Sequence, residues 1–256
     1  MLSFYIIKNY ISLSEKLYPV FAKLFSSTEK KGGVIVTKDT DIVIEGYPRC
    51  GNSFAEIGFR VANMKKNPNL NIAHHCHAAA QIKNAARLNL PCLVVLRDPL
   101  EACISNCIFS KNKITPKESL IAYYLFYESL LPYNKKFVLG LFEDVTVNFH
   151  LVIKSLNNHF KTNFDCPKHD DDFNLKTFKL LKEISLERQK NEYKDKYLSA
   201  AEDYSSPNSK NSYLNRDKQK EEIKNLFYED INKKYVLRAY RIYNIYKKNL
   251  TTNLTD

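Results

Sequence analysis

At 256 residues and 29.8 kDa the chain is long enough to bury a full core, and a single domain is expected over 1–256. Its 39 Lys+Arg against 28 Asp+Glu leave +11, which suits an anionic ligand and equally a nucleic acid or an acidic membrane surface. Six cysteines (Cys50, Cys76, Cys92, Cys103, Cys107 and Cys166) include no C-x-x-C pair, which argues against a disulfide framework and for a reducing, cytoplasmic compartment.

Residues 1–31 read as an amphipathic helix. Phe4, Ile7, Ile11, Tyr18, Phe21 and Phe25 recur at helical spacing, and a kink is expected at Pro19. Lys8, Glu15 and Lys16 interrupt the apolar run before it reaches the ~20 residues needed to span a bilayer. No basic start or small-residue cleavage site suggests a signal peptide. The helix is expected to pack on the domain, although its broad apolar face also suits contact with a membrane surface. Gly32-Gly33 would end it, and Val34–Thr37 reads as a short edge strand.

Ile42, Val43 and Ile44 form a buried strand stopped by Gly46 and Pro48. Gly51 frees the backbone to curl, and Asn52–Ala62 then has helical spacing, with Phe54, Ile57, Phe59 and Val61 as its apolar set. Strand, glycine-bounded loop and helix is an arrangement that cradles phosphate. Gly46, four residues, Gly51 and Ser53 fit the pattern G-x-x-x-x-G-K-[ST], but Asn52 stands where a nucleoside triphosphatase has its Lys. The strongest cation lies inside the loop instead, at Arg49. An ordinary strand-to-helix turn is the competing reading.

Asn71–His77 reads as a second strand, Ala78–Leu88 as a helix and Leu93–Leu96 as a third strand. Asp98 is a helix N-cap, with Pro99 first and Glu101 third in the helix, the arrangement of a capping box. That cap sets where Ser105 projects relative to Arg97. A helix from Pro116 to Leu131, a fourth strand over Phe137–Phe142 and a helix over Val147–Phe160 follow. A long helix over Leu175–Ala201, a polar loop over Glu202–Asn215 and a last helix over Asp217–Lys248 complete the chain. This alternation implies an α/β fold with a mainly parallel sheet, whose ligands bind at the carboxyl ends of the strands.

Together, GYPRCGNS and VVLRDPLEACIS resemble the two cofactor loops of the sulfotransferases, and the resemblance covers residues 41–164. It implies a P-loop-like core over 41–164, extra helices at 1–31 and 175–250, and the sulfuryl donor 3′-phosphoadenosine-5′-phosphosulfate (PAPS). The family match further implies that the first loop, from Arg49 through Cys50, Gly51, Asn52 and Ser53 to Phe54, holds the 5′-phosphosulfate. Arg97 with Ser105 would hold the 3′-phosphate. Arg49 would steady the leaving oxygen where much of the family has a Lys, a departure that keeps the charge but gives a poor proton donor.

The resemblance also gives His77 the task of taking the acceptor's proton, with His75 facing the sulfuryl group. The reverse assignment stays open. On a regular strand His75 and His77 would share one face and His74 and Cys76 the other, so only two ligands converge and no metal is expected. Lys210 and neighbouring polar residues are candidates for closing over the cofactor, against the reading of a plain surface loop.

Two rivals remain. A P-loop kinase-like phosphotransferase shares the first loop, but the missing Lys and the lack of an obvious magnesium-binding carboxylate count against it, although Glu143-Asp144 follows the fourth strand. A basic nucleic-acid-binding protein would explain the charge but neither loop. The acceptor, a small molecule, glycan or lipid, is not legible, and neither is the oligomeric state.

Overall fold

The computed structural model describes residues 3–24, 33–167, 171–192 and 213–252. The apolar runs become four parallel strands: β1 (Ile42–Gly46), β2 (Ile72–His74), β3 (Cys92–Leu96) and β4 (Val138–Leu141). Their order in the sheet is β2-β1-β3-β4. All residues of β1 and β3 are buried, as expected of central parallel strands covered on both faces.

Eleven α-helices surround the sheet among the described residues. Two precede it, α1 (Phe4–Ser12) and α2 (Leu17–Leu24). Helix α3 (Asn52–Asn63) joins β1 to β2, and α4 (Ala79–Leu88) joins β2 to β3. Helices α5 (Pro99–Phe109) and α6 (Pro116–Glu128) lead from β3 to β4. After β4 come α7 (Phe142–Val147), α8 (Phe149–Phe160), α9 (Asp171–Glu192), α10 (Tyr213–Phe227) and α11 (Asp230–Thr252). The chain leaves β1 for β2 on one side, then passes back across β1 to β3 on the other. The carboxyl ends of β1 and β3 therefore flank a topological switch point, where open α/β sheets form their ligand crevice.

Several local expectations need correction. The N-terminal segment is two helices, broken at residues 13–16 rather than kinked at Pro19. Pro19 sits in the first turn of α2, where its missing N–H costs nothing, and the Ser14 hydroxyl accepts from Leu17 N at 3.2 Å at that helix start. The segment Val34–Thr37 contributes only one antiparallel bridge, Val34 to His74. The last helix is split at residues 228–229, and Asn215, expected in a loop, is helical. Residues 25–31 and 202–212, including Lys210, lie outside the described residues.

Asp98 does cap α5, its carboxylate accepting from Leu100 N and Glu101 N, but Glu101 turns to Arg97 instead of closing a capping box. The reciprocal box forms at α6, between Thr115 and Glu118. No helix among the described residues is long and apolar enough to cross a membrane. On α1 and α2, Phe4, Ile7, Leu17, Val20 and Leu24 are exposed, so part of the expected inward face points outward.

Candidate active site

The loop after β1 is held shut from several sides. Gly46 lies against the neighbouring strand: a Cβ there would come within 2.5 Å of the Val95 carbonyl oxygen. Arg49 (φ 68°) and Gly51 (φ 97°) both adopt the left-handed conformation that curls the chain. For Arg49 this carries a steric cost, of the kind that clusters at functional sites. Gly51 is the N-cap of α3, and no side chain caps the first turn there, the kind of helix start that can take an anion.

Asn52 answers the question raised by the missing Lys. Its side chain is buried, and Nδ2 donates to the carbonyls of Gly46 (3.3 Å) and Tyr47 (3.0 Å). It therefore staples the loop to the helix start rather than reaching a ligand. Oδ1 of the same amide is buried without a hydrogen-bond partner.

Arg49 and Arg97 bring the two loops together. Arg49 Nε donates to the buried Ser105 hydroxyl at 3.1 Å, and its guanidinium lies 4.8 Å from the Phe109 ring centre. Arg97 Nη1 donates to the Arg49 carbonyl at 3.1 Å while its guanidinium stacks 4.2 Å from the Phe142 ring centre. Arg97 Nη2 pairs with Glu101 at 3.2 Å. Ser105 thus serves Arg49 first, not Arg97 alone as the sequence suggested. Its hydroxyl can accept from Arg49 and still donate onward.

Beneath the loop is a wall of fully buried tyrosines that the sequence reading missed. Tyr127 Oη accepts from Tyr47 N (3.3 Å) and donates to the Val95 carbonyl (2.7 Å); Tyr123 Oη donates to the Arg97 carbonyl (2.7 Å). Tyr47 Oη donates to the Ser119 carbonyl (3.0 Å) and accepts from Asn106 (2.9 Å). Tyr123 and Tyr127 are one turn apart on α6, and that i, i+4 spacing was the available signal. Cys50 packs against Tyr127, and burial pushes its thiol up to about 11, so it serves the loop through its backbone. Phe54 likewise turns its ring into the core, against Phe149 and Phe178.

The histidines depart most from expectation. β2 ends at His74, and His75 (φ 56°) and His77 (φ 50°) are both left-handed, so strand alternation does not govern them. The cause is Glu45, a fully buried carboxylate in β1. Its Oε1 accepts from Cys76 N (2.7 Å) and Oε2 from His77 N (2.9 Å), which gathers the chain into a turn. His77 Nδ1 donates to the Gly46 carbonyl at 2.9 Å, so the neutral ring keeps its lone pair on Nε2. Burial, with Lys8 and Arg49 adding positive charge, pushes the His77 pKa down to about 4. His75 is committed elsewhere: Nε2 bonds Ser53 Oγ at 2.8 Å and Nδ1 lies 2.6 Å from His74 Nδ1. The rings of His75 and His77 nevertheless stay neighbours, their centres 5.9 Å apart.

No family model, curated protein or solved structure matches the chain. The site therefore rests on its own geometry.

In the sequence Glu45 reads as one charged residue at the end of an apolar strand. A carboxylate inside a buried strand must have donors, and that was the signal. Burial pushes its pKa from the ordinary 4.5 up to about 8, against the pull of its N–H donors. The folded protein then binds more protons than the unfolded chain between those values, so this group makes stability fall as pH rises from 4.5 toward 8. Glu45→Gln should flatten that decline in a series of melting temperatures against pH. Parallel slopes for variant and wild type would show that the carboxyl titrates normally.

Proposed function

We propose that the protein is a P-loop-like sulfotransferase that moves a sulfuryl group from PAPS to a hydroxyl or amine acceptor. The observation that carries this reading is the convergence of Arg49, Arg97 and Ser105 at the carboxyl ends of the adjacent strands β1 and β3. Each of the two loops brings a guanidinium: Arg49 donates to the Ser105 hydroxyl, and Arg97 donates to the Arg49 carbonyl. That arrangement suits a ligand with two separate anionic groups better than a single phosphate.

In the proposed reaction His77 Nε2 takes the acceptor's proton as the acceptor oxygen or nitrogen bonds to sulfur. The bond from sulfur to the bridging oxygen breaks in line with the attack, and the electron pair leaves on the 5′-phosphate of the nucleotide. Arg49 and the N–H groups at the start of α3 stabilise that leaving charge. Ser53 supports the 5′-phosphate, while Arg97, with the outward hydrogen of Ser105, holds the 3′-phosphate. His75 has a supporting role, since its Nε2 positions Ser53. This scheme places no metal on the reaction path.

Against the kinase-like reading, the side chain at position 52 faces the loop's own carbonyls and supplies no charge to a triphosphate. All six cysteines are free thiols, which fits a reducing, cytoplasmic setting. The outward apolar residues of α1 and α2 fit contact with a membrane surface, which would suit a lipid acceptor.

The test is a calorimetric titration with 3′-phosphoadenosine-5′-phosphate, 5′-AMP and ATP. A charge-assisted contact is worth ~1.5–3 kcal/mol, so the bisphosphate should bind at least about tenfold better than 5′-AMP. Arg97→Ala should erase most of that preference. Equal affinity for the two nucleotides would sink the assignment, and magnesium-dependent phosphate release from ATP would favour the phosphotransferase.

A further inference from the structure

Adjacent residues on a strand point to opposite faces, so His74 and His75 ought not to meet. They do meet, because β2 stops at His74 and the left-handed backbone at His75 turns its ring back. Their Nδ1 atoms lie 2.6 Å apart, with the rings edge to face. Glu56, one turn into α3, comes up on the other side, its Oε1 3.9 Å from His74 Nε2. Glu56 and His74 are buried and His75 is partly buried. One ligand atom from each of the three lies within 4.8 Å of the others, the single such group among the described residues.

We propose that Glu56, His74 and His75 bind a divalent transition-metal ion, with zinc the best match. Two imidazoles and one carboxylate form a borderline donor set, and three protein ligands leave a further position open, as zinc tolerates. Metal-bound histidines characteristically donate their second N–H to an oxygen that fixes the ring. Ser53 Oγ stands in that position behind His75, 2.8 Å from Nε2. Arg60 pairs with the same Glu56 oxygen that faces His74, so the ion competes with a guanidinium and binds less tightly than at a closed four-ligand site.

Regular strand alternation pairs His75 with His77 and leaves out Glu56, which comes from a different element. The metal site goes beyond the transferase reading and does not depend on it. Because Ser53 is the shared residue, bound metal would stand directly beside the 5′-phosphate site.

The experiment uses the full chain stripped with a chelator, then equilibrated with zinc and separately with cobalt(II), with no nucleotide present. About one equivalent of zinc should bind, and cobalt should give the visible bands of a low-coordinate nitrogen and oxygen site. His74→Ala and Glu56→Gln should each weaken binding at least about tenfold, the lower bound for disturbing such a site, while His77→Ala should bind as wild type does. No uptake by the wild-type chain would overturn the proposal without need of any variant. Undiminished uptake by a folded His74→Ala, or a sulfur-to-cobalt charge-transfer band, would overturn it too. Any of these results leaves the nucleotide titration unaffected.

Discussion

His77→Ala is expected to keep its affinity for the 3′,5′-bisphosphate nucleotide and to transfer sulfate about 10²–10⁴ times more slowly than wild type. The ring is held at Nδ1, 2.9 Å from the Gly46 carbonyl and 3.5 Å from Asn52 Nδ2, and the backbone at this position is fixed independently by Glu45. Truncation therefore removes the base while the loop stays anchored by Asn52. The pH profile adds a second readout. A base whose pKa has been pushed down to about 4 is already deprotonated at neutrality, so the rate should show no acid limb until pH approaches that value. An acid limb near 6.5, or full activity in the variant, would remove His77 from the role. His75→Ala should be milder in rate and should weaken the nucleotide through the loss of its bond to Ser53.

Arg49→Ala should lower turnover by roughly 10²–10³, with a smaller effect on binding of the product nucleotide. The reason is one of timing, since the charge on the bridging oxygen is greatest as the bond to sulfur breaks. Both side chains carry a Cβ, so the left-handed backbone at this position is no more strained in the variant. Arg49→Lys separates charge from geometry. It keeps the cation that much of the resembled family uses but loses the Nε bond to Ser105. Partial recovery by Lys is expected. Near-wild-type turnover with Ala would mean that another cation does the work.

The strands and helices that build the crevice were legible because their signals are local. β1 and β3 are continuous apolar runs, and α3 spans the stretch that its apolar spacing marks out. The two guanidiniums could be named as well, because Arg97 follows directly on β3 and Arg49 lies in the short loop after β1. What could not be read depends on partners far along the chain. The turn at His75–His77 is imposed by a carboxylate about thirty residues earlier in β1, and no periodicity records that. The partner of Ser105 is Arg49, over fifty residues away, although Arg97 is much nearer in sequence. Pro19 illustrates the same limit at short range. Whether a proline kinks a helix or starts one depends on where the first turn begins, and here that place lies beside Ser14.

The tyrosine wall beneath the loop also gives the protein an intrinsic optical reporter. The chain has no tryptophan, so its near-ultraviolet circular dichroism carries no indole component. That signal exists only where rings are fixed in an asymmetric environment. Tyr47, Tyr123 and Tyr127 pack edge to face or tilted, with neighbouring ring centres 5.2 and 4.8 Å apart. The Tyr123 hydroxyl touches the Arg97 carbonyl, and that of Tyr127 touches the Tyr47 amide and the Val95 carbonyl of β3. An anion held by Arg97 acts on the residue whose carbonyl Tyr123 grips, so ligand binding between the two loops would be written into the tyrosine spectrum without a label.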